Sequence, residues 1–231
     1  MNPLIDPSQS LSQVGLSPSL EEILRVGIVF LDGMRIGGDD PRLLGNLETL
    51  AEELRRTIGG RRPSELEPVI RTRRLYKSLG MDPTKERPSS ERLLRLALRG
   101  RPFTPVNDLV DALSLVSLRL QFPLGAYDWD RVAPPVLIRV GQPEEGYRGI
   151  ADEDVRLQGK IALVDGEGPF GSPSRDSCRT PVTRRTVRAL VVAWAPAGTP
   201  RASLEEVLRE IRSAAEESCG ARTSAWGVLP H

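Results

Sequence analysis

Apolar residues in the first third of the chain recur at a spacing of three and four, the spacing of one helix face. The positions are Leu43, Leu44, Leu47, Leu50, Leu54 and Ile58. Gly59 and Gly60 follow and predict the end of this helix. Before it, the β-branched and apolar run from Ile23 to Leu31 predicts a buried strand. The first 20 residues show no period and are expected to run over the surface and to be the least ordered part.

Four more helices are predicted by the same apolar period and by cap residues. Their predicted starts are, in order, Val69, Ser89 or Ser90, Asn107 or Asp108, and the capping box Ser203-Leu-Glu-Glu206. From Val136 onward the period approaches two, which predicts strands at Val136 to Val140, Lys160 to Asp165 and Val187 to Trp194. The sequence therefore predicts an α+β fold, with a helical N-terminal half packed on a mixed sheet or a partly closed barrel in the C-terminal half.

Composition and charge exclude several classes of function. The 231 residues are 39% hydrophobic, so one domain is expected. The net charge is only +1, so the protein as a whole is not expected to attract nucleic acid or anionic lipid electrostatically. The two cysteines, Cys178 and Cys219, lack zinc-site spacing, and the only histidine is His231. No metal, nicotinamide or flavin motif is found, so no cofactor is expected. Without a signal peptide or a long apolar run, the sequence predicts a cytoplasmic protein that does not contact membranes.

A series of short motifs lies in a fixed order between about residues 75 and 195. They are Gly80-Met-Asp-Pro83, Arg87-Pro-Ser-Ser-Glu91, Pro105 to Asp111, Ser117 to Asp128, Asp165 to Gly171, and Arg175 to Thr180. This series resembles the B3/B4 domain of the phenylalanyl-tRNA synthetase beta subunit, and more closely the free-standing proteins that carry this domain. The resemblance implies one B3/B4-like domain over 1–231, with a lead-in at 1–20, a strand and helices at 21–80, the core at 81–197, and a helix and strand at 198–231.

The resemblance implies a pocket for an aminoacyl-adenosine end, between the Pro105 to Asp128 segment and the later strands. In the synthetase domain such a pocket hydrolyses the ester that joins a wrong amino acid to tRNA. This chain departs from the family at two positions. Gly125 stands where the synthetase pattern Gln-x-Pro-x-His-Ala-aromatic-Asp has histidine, and Val187 to Trp194 has no counterpart of a later glutamate. The family's editing chemistry therefore does not transfer directly.

Hydrolysis without an internal histidine would need another general base. Asp165 and Asp176 are the candidate catalytic residues, because a carboxylate can orient a water that a ribose hydroxyl of the substrate helps to activate. Glu167 is a further carboxylate in the same glycine-rich half. The alternative is that Asp165 starts an Asp-Gly turn and Asp176 forms an Asx turn.

A polar set in the same half suits recognition of an amino group, an ester carbonyl and a phosphate. The predicted substrate-binding residues are Asn107, Gly125, Tyr127, Asp128, Ser177, Arg179 and Thr180. Arg179 is the predicted anion contact, with a surface Arg–Asp pair as the alternative. For Asn107 a helix cap is favoured over a ligand contact, and for Tyr127 the more common role of such an aromatic is core packing.

Arginines at a spacing of three and four predict an RNA-binding face. The residues are Arg92, Arg95 and Arg99, joined by Arg101. Such a stripe can follow a phosphate backbone with salt-dependent affinity. The alternative is an ordinary solvated helix face opposite a leucine stripe.

The leading hypothesis is a protein that binds tRNA or aminoacyl-tRNA ends and hydrolyses mischarged aminoacyl-tRNA in trans. The alternative is a non-catalytic module of the same fold that binds RNA, a small ligand or a partner protein, and a weaker one is an RNA-binding adaptor without a pocket. No DNA partner is predicted. The sequence does not determine turnover, the preferred amino acid or tRNA, or the oligomeric state.

Overall fold

A computed structural model describes residues 11–38 and 40–230, and the fold is α+β as predicted. Its helices each bury an apolar stripe that the sequence period had located. They are α1 (Pro41–Ile58), α2 (Glu67–Ser78), α3 (Ser89–Leu98), α4 (Asp108–Leu120) and α5 (Arg201–Cys219). Helix α1 ends at Gly59, whose left-handed backbone (φ 59°) suits glycine, and this confirms the predicted stop.

The predicted serine caps of two helices are wrong. Helix α3 has Pro88 as its N-cap residue and α5 has Pro200, and no side chain caps either end. Ser89 and Ser203 instead lie inside the first turns of these helices. The prediction for α4 is confirmed, since Asn107 Oδ1 accepts a hydrogen bond of 3.0 Å from the Val110 amide.

A four-stranded antiparallel sheet, here the central sheet, lies between two apolar layers. Its strands, in spatial order, are β10 (Arg222–Leu229), β2 (Leu24–Asp32), β9 (Ala189–Pro196) and β3 (Leu124–Asp128). Strand β9 is apolar at almost every position because both of its faces are covered. Strand β3 corrects the expectation of a loop after α4.

A second four-stranded sheet, here the outer sheet, is mixed. Its strands are β1 (Val14–Leu16), β4 (Val136–Val140), β7 (Ile161–Asp165) and β8 (Gly168–Gly171), and β1 runs parallel to β4. The short strands β5 (Gly146–Arg148) and β6 (Asp154–Arg156) form a separate hairpin. These described strands form open sheets, so the mixed-sheet alternative is the one observed.

Alternating side chains of the central sheet supply two cores. Val26, Ile28 and Phe30 of β2 face the outer sheet, where they pack with residues such as Phe170. Val29 and Leu31 face the opposite side, which α4 and α5 cover. A third core lies between the four helices α1, α2, α3 and α4. Within the expected surface lead-in, Val14 and Leu20 are buried and β1 pairs with β4, whereas Pro18 and Ser19 are exposed; residues 1–10 lie outside the described part.

Cys178 is exposed, Cys219 is buried, and both are free thiols. None of the described helices is long and apolar enough to cross a membrane.

Candidate functional site

Three tyrosines converge on Asp176, and they are the only tyrosines in the chain. Tyr76 lies on α2, Tyr127 on β3 and Tyr147 on β5, while Asp176 follows β8 in a short loop. Burial raises the pKa of every one of these phenols, and the Asp176 carboxylate raises each pKa further. We call these four residues the tyrosine–Asp176 cluster.

The loop that carries Asp176 is held by its own main chain. Ser172 Oγ donates a hydrogen bond of 2.9 Å to the carbonyl oxygen of Arg175, which closes the turn. The Asp176 carbonyl accepts a hydrogen bond of 3.1 Å from the amide of Ile150, and a β-bridge joins Asp176 to Gly171. The backbone of Asp176 is thus fixed to the rest of the fold, and its carboxyl interacts with the three tyrosines.

Two of the tyrosines support this loop from outside. The Tyr147 hydroxyl donates a hydrogen bond of 2.6 Å to the Arg175 carbonyl, and the Tyr76 hydroxyl donates to the Pro173 carbonyl. Tyr127 is fully buried and packs edge-on against Phe170 at 5.2 Å between ring centroids. Its hydroxyl makes no well-formed hydrogen bond within the described residues, although it lies close enough to Asp176 to interact with it. The Asp176 carboxyl is therefore the acceptor nearest to this buried phenol.

Asp176 combines partial exposure with a raised pKa. Burial in the surrounding protein raises its pKa from 3.8 to about 6, and the interaction with Tyr127 opposes part of that rise. The residue as a whole is half-buried, and its carboxyl forms no ion pair with any described basic residue. A carboxyl with a pKa near neutrality is suited to act as a general base.

Gly125 and Gly171 make room for Tyr127. A β-carbon built at Gly125 would lie 2.7 Å from the Tyr127 hydroxyl oxygen, and one at Gly171 would lie 2.4 Å from the Tyr127 ring. Gly125 is the position at which the synthetase pattern has histidine. In this chain the Tyr127 hydroxyl therefore occupies the space beside strand position 125 that a larger side chain would need.

Gly125→Ala is expected to destabilise the protein by about 1 to 3 kcal/mol, because the added methyl group overpacks the Tyr127 hydroxyl. In a Tyr127→Phe background the cost is expected to fall by at least about 0.5 kcal/mol, since the clashing oxygen is gone. Urea denaturation of the four proteins measures both values. Gly45→Ala, which has open space on α1, is the control and is expected to stabilise. Equal costs in both backgrounds would contradict the argument.

Asp165, the other predicted catalytic residue, is engaged in a buried ion pair with Arg179. The Arg179 Nη2 and Nη1 atoms donate to its two oxygens at 2.8 and 3.0 Å, and the amides of Ala133 and Glu167 donate at 2.8 and 3.0 Å. The Asp165 side chain has no exposed surface. This geometry is typical of a structural contact. The Arg179 guanidinium, which the sequence predicted to bind an anion of the substrate, is already paired with Asp165.

The remaining predicted substrate-binding residues lie near these elements but mostly bind the chain itself. Asn107 caps α4, and its amide nitrogen donates to the Val182 carbonyl at 3.4 Å. Asp128 accepts from the Thr186 hydroxyl at 2.8 Å. Ser177 Oγ accepts from the Arg179 amide at 3.0 Å, and Thr180 is fully buried beside the Phe170 carbonyl. Of the predicted set, Tyr127 interacts with the Asp176 carboxyl, and Gly125 lies against the Tyr127 hydroxyl.

The predicted RNA-binding arginines surround one small recess of about 120 Å³. Its lining is Arg87, Arg92, Arg95, Leu96, Arg99 and Arg101. Buried Glu91 neutralises part of this charge: burial would raise its pKa, but hydrogen bonds from Arg73 and Arg95 outweigh burial and lower it. Three of the lining arginines make no ion pair with a described residue, namely Arg92, Arg99 and Arg101.

Sequence reasoning missed Tyr76 and Tyr147. Tyr76 follows Leu75 within an ordinary helical stripe, and Tyr147 lies on a strand of only three residues. Neither residue lies within the motif series, so the sequence offered no local signal for them.

Comparison with known proteins agrees with the motif series. A family model described as the B3/4 domain matches residues 71–208. Among solved structures, the chain is similar to an N-terminal fragment of the phenylalanyl-tRNA synthetase beta subunit from Pyrococcus horikoshii, with 15% sequence identity and a TM-score of 0.49. That similarity covers 94% of this chain but 54% of the fragment. A search of curated proteins finds no match.

Proposed function

Since the chain belongs to the B3/4 domain family, we propose that it binds the end of an aminoacyl-tRNA beside the tyrosine–Asp176 cluster and hydrolyses the ester of mischarged tRNA. The single observation that carries the proposal is the Asp176 carboxyl. The residue is half-buried, its carboxyl has a pKa of about 6, and the buried Tyr127 phenol interacts with it. A B3/4 domain makes this a module related to tRNA synthetases.

In the proposed reaction, ionised Asp176 removes a proton from a water molecule as the water oxygen attacks the ester carbonyl carbon. The resulting tetrahedral intermediate collapses by breaking the bond to the ribose oxygen. Protonated Asp176 returns the proton to that oxygen, which leaves a free amino acid and an uncharged tRNA. The pKa of about 6 suits both transfers, because general catalysis is most effective when the pKa is near the working pH.

The arginine recess supports binding of the RNA part of this substrate. Burial raises the pKa of the Tyr76 phenol, Asp176 raises it further and Arg92 opposes the rise slightly, so both charged groups act on one member of the cluster. A phosphate held by Arg92, Arg99 and Arg101 would therefore lie beside a group, Arg92, that acts electrostatically on Tyr76. Phosphate contacts position a nucleic acid without reading its sequence.

A non-catalytic binding module is the second candidate function. The observation that favours it is Gly125, because this chain has no side chain at the position where the synthetase pattern has histidine. Asp165 and Arg179 also satisfy each other, which leaves Asp176 as the one predicted catalytic carboxyl outside an ion pair among the described residues. In this case charged tRNA would be retained without release of the amino acid.

The deciding experiment is deacylation of a panel of correctly and wrongly charged tRNAs by the purified protein, with filter retention measured on the same samples. Selective release of a wrong amino acid is expected, together with retention that weakens as salt rises. Arg92→Ala and Arg99→Ala are expected to reduce retention, whereas Arg56→Ala on exposed α1 is the matched control. Retention without release would establish the binding module. If neither release nor retention is observed, both proposed functions are rejected.

A further inference from the structure

A cleft of about 490 Å³ lies between α2 and the N-terminus of α5. Its walls include Arg71, Arg74 and Leu75 of α2, and Pro196, Thr199 and Pro200 before α5. No member of the tyrosine–Asp176 cluster or of the arginine recess lines it. A volume of this size matches pockets that hold small organic ligands.

The electrostatics of the cleft favour an anion. Helix α5 has 19 residues, begins at the cleft, and has neither a side-chain cap nor an acidic residue in its first turn, so its positive dipole end is not compensated locally. Arg74 is exposed and makes no ion pair with a described residue, and Arg71 is held over the Phe122 ring at 5.2 Å. Glu67 is the one carboxylate in the lining, against two arginines.

Two buried donors at the same place have no partner. Thr199 is 3% exposed, and its hydroxyl makes no hydrogen bond with any described group. Arg25 donates through Nη1 to the Thr199 carbonyl, yet its Nε is also buried and without a hydrogen bond in this part of the chain. Buried donors of native proteins are almost always satisfied, so unpaired ones beside a cleft indicate a missing acceptor.

We infer that this cleft binds a phosphate group carried by a small organic molecule of about nucleotide size. The phosphate lies at the α5 N-terminus, where Arg71, Arg74 and the Thr199 hydroxyl donate to its oxygens. The remainder of the ligand lies against the apolar wall formed by Leu75, Pro196 and Pro200.

Isothermal titration of the intact protein with AMP, inorganic phosphate and adenosine tests the inference without any charged tRNA. AMP is expected to bind more tightly than inorganic phosphate, and adenosine is expected not to bind. Equal binding of AMP and phosphate would contradict the organic part of the inference. Absence of binding by both phosphate compounds would overturn it entirely.

Variants locate the binding. Arg71→Met and Arg74→Met are each expected to weaken AMP binding by at least about tenfold, because each removes a charge-assisted hydrogen bond. Thr199→Val keeps the shape and is expected to weaken AMP binding by about threefold or more. Arg56→Met is the control and is expected to leave the affinity unchanged, whereas Arg92→Met tests the arginine recess as the other anion site. An affinity that survives Arg71→Met with Arg74→Met, or that falls in Arg92→Met, would place the anion elsewhere and reject this site.

Discussion

Asp165→Ala is expected to lower the free energy of unfolding by about 3 to 5 kcal/mol, the usual cost of removing one partner from a buried ion pair. The Asp165 side chain has no exposed surface, and it accepts four hydrogen bonds, two from Arg179 and two from main-chain amides. Its removal leaves the Ala133 and Glu167 amides without their acceptor. The Arg179 guanidinium is 26% exposed, so water screens part of its stranded charge, and we expect the lower end of the range.

Urea denaturation of Asp165→Ala and of Glu167→Ala measures the effect. Glu167 also pairs with Arg179, at 3.1 Å, but its side chain is 65% exposed, so its loss is expected to cost less than about 1 kcal/mol. A cost below about 1 kcal/mol for Asp165→Ala would contradict the structural role. Deacylation per folded molecule separates the two roles further. If that rate collapses in Asp165→Ala while the folded fraction is high, Asp165 takes part in the chemistry.

The helices could be predicted from the sequence because their signal is local. In α1 the apolar residues recur every three or four positions for 18 residues, and Gly59 marks the end. Strands β1, β5 and β6 have three residues each, which is too short to show a period of two. Strand β3 follows Pro123 directly after a helix, so the sequence indicated a loop there, and its pairing with β9 is a tertiary contact.

The candidate site could be predicted only in part, because its members come from separate elements. Tyr76 and Tyr147 are brought to Asp176 by contacts with the Pro173 and Arg175 carbonyls, which no local pattern encodes. Asp165 and Arg179 were both identified as polar residues of interest. The sequence could not show that they face each other, and that pairing changes the expected role of both.

Asp176→Asn is expected to reduce deacylation by about 100- to 10,000-fold, the usual contribution of general acid–base catalysis. Asp154→Asn makes the same chemical change at a carboxyl that is 86% exposed, and it is expected to leave the rate unchanged. For the wild-type protein, the rate is expected to rise with pH up to about 6, where Asp176 ionises, and then to level off. A flat profile between pH 5 and 7, or full activity of Asp176→Asn, would exclude Asp176 as the base.

The raised pKa also predicts how stability changes with pH. Folded Asp176 keeps its proton up to about pH 6, whereas an unperturbed aspartate releases it near 3.8, so the folded state binds more protons between these values. Stability from this group is therefore present in full below the unfolded pKa and is lost as pH rises through the folded pKa. Asparagine does not ionise, so Asp176→Asn is expected to be more stable than the wild type at pH 7.5 by about 1 to 2 kcal/mol, after a reduction for its partial exposure. Denaturant titrations at pH 4 and 7.5 measure the difference. If Asp176→Asn loses activity and is more stable than the wild type only at pH 7.5, the carboxyl is kept in an unfavourable environment for its reactivity. If the variant loses both activity and stability at each pH, Asp176 is a structural residue.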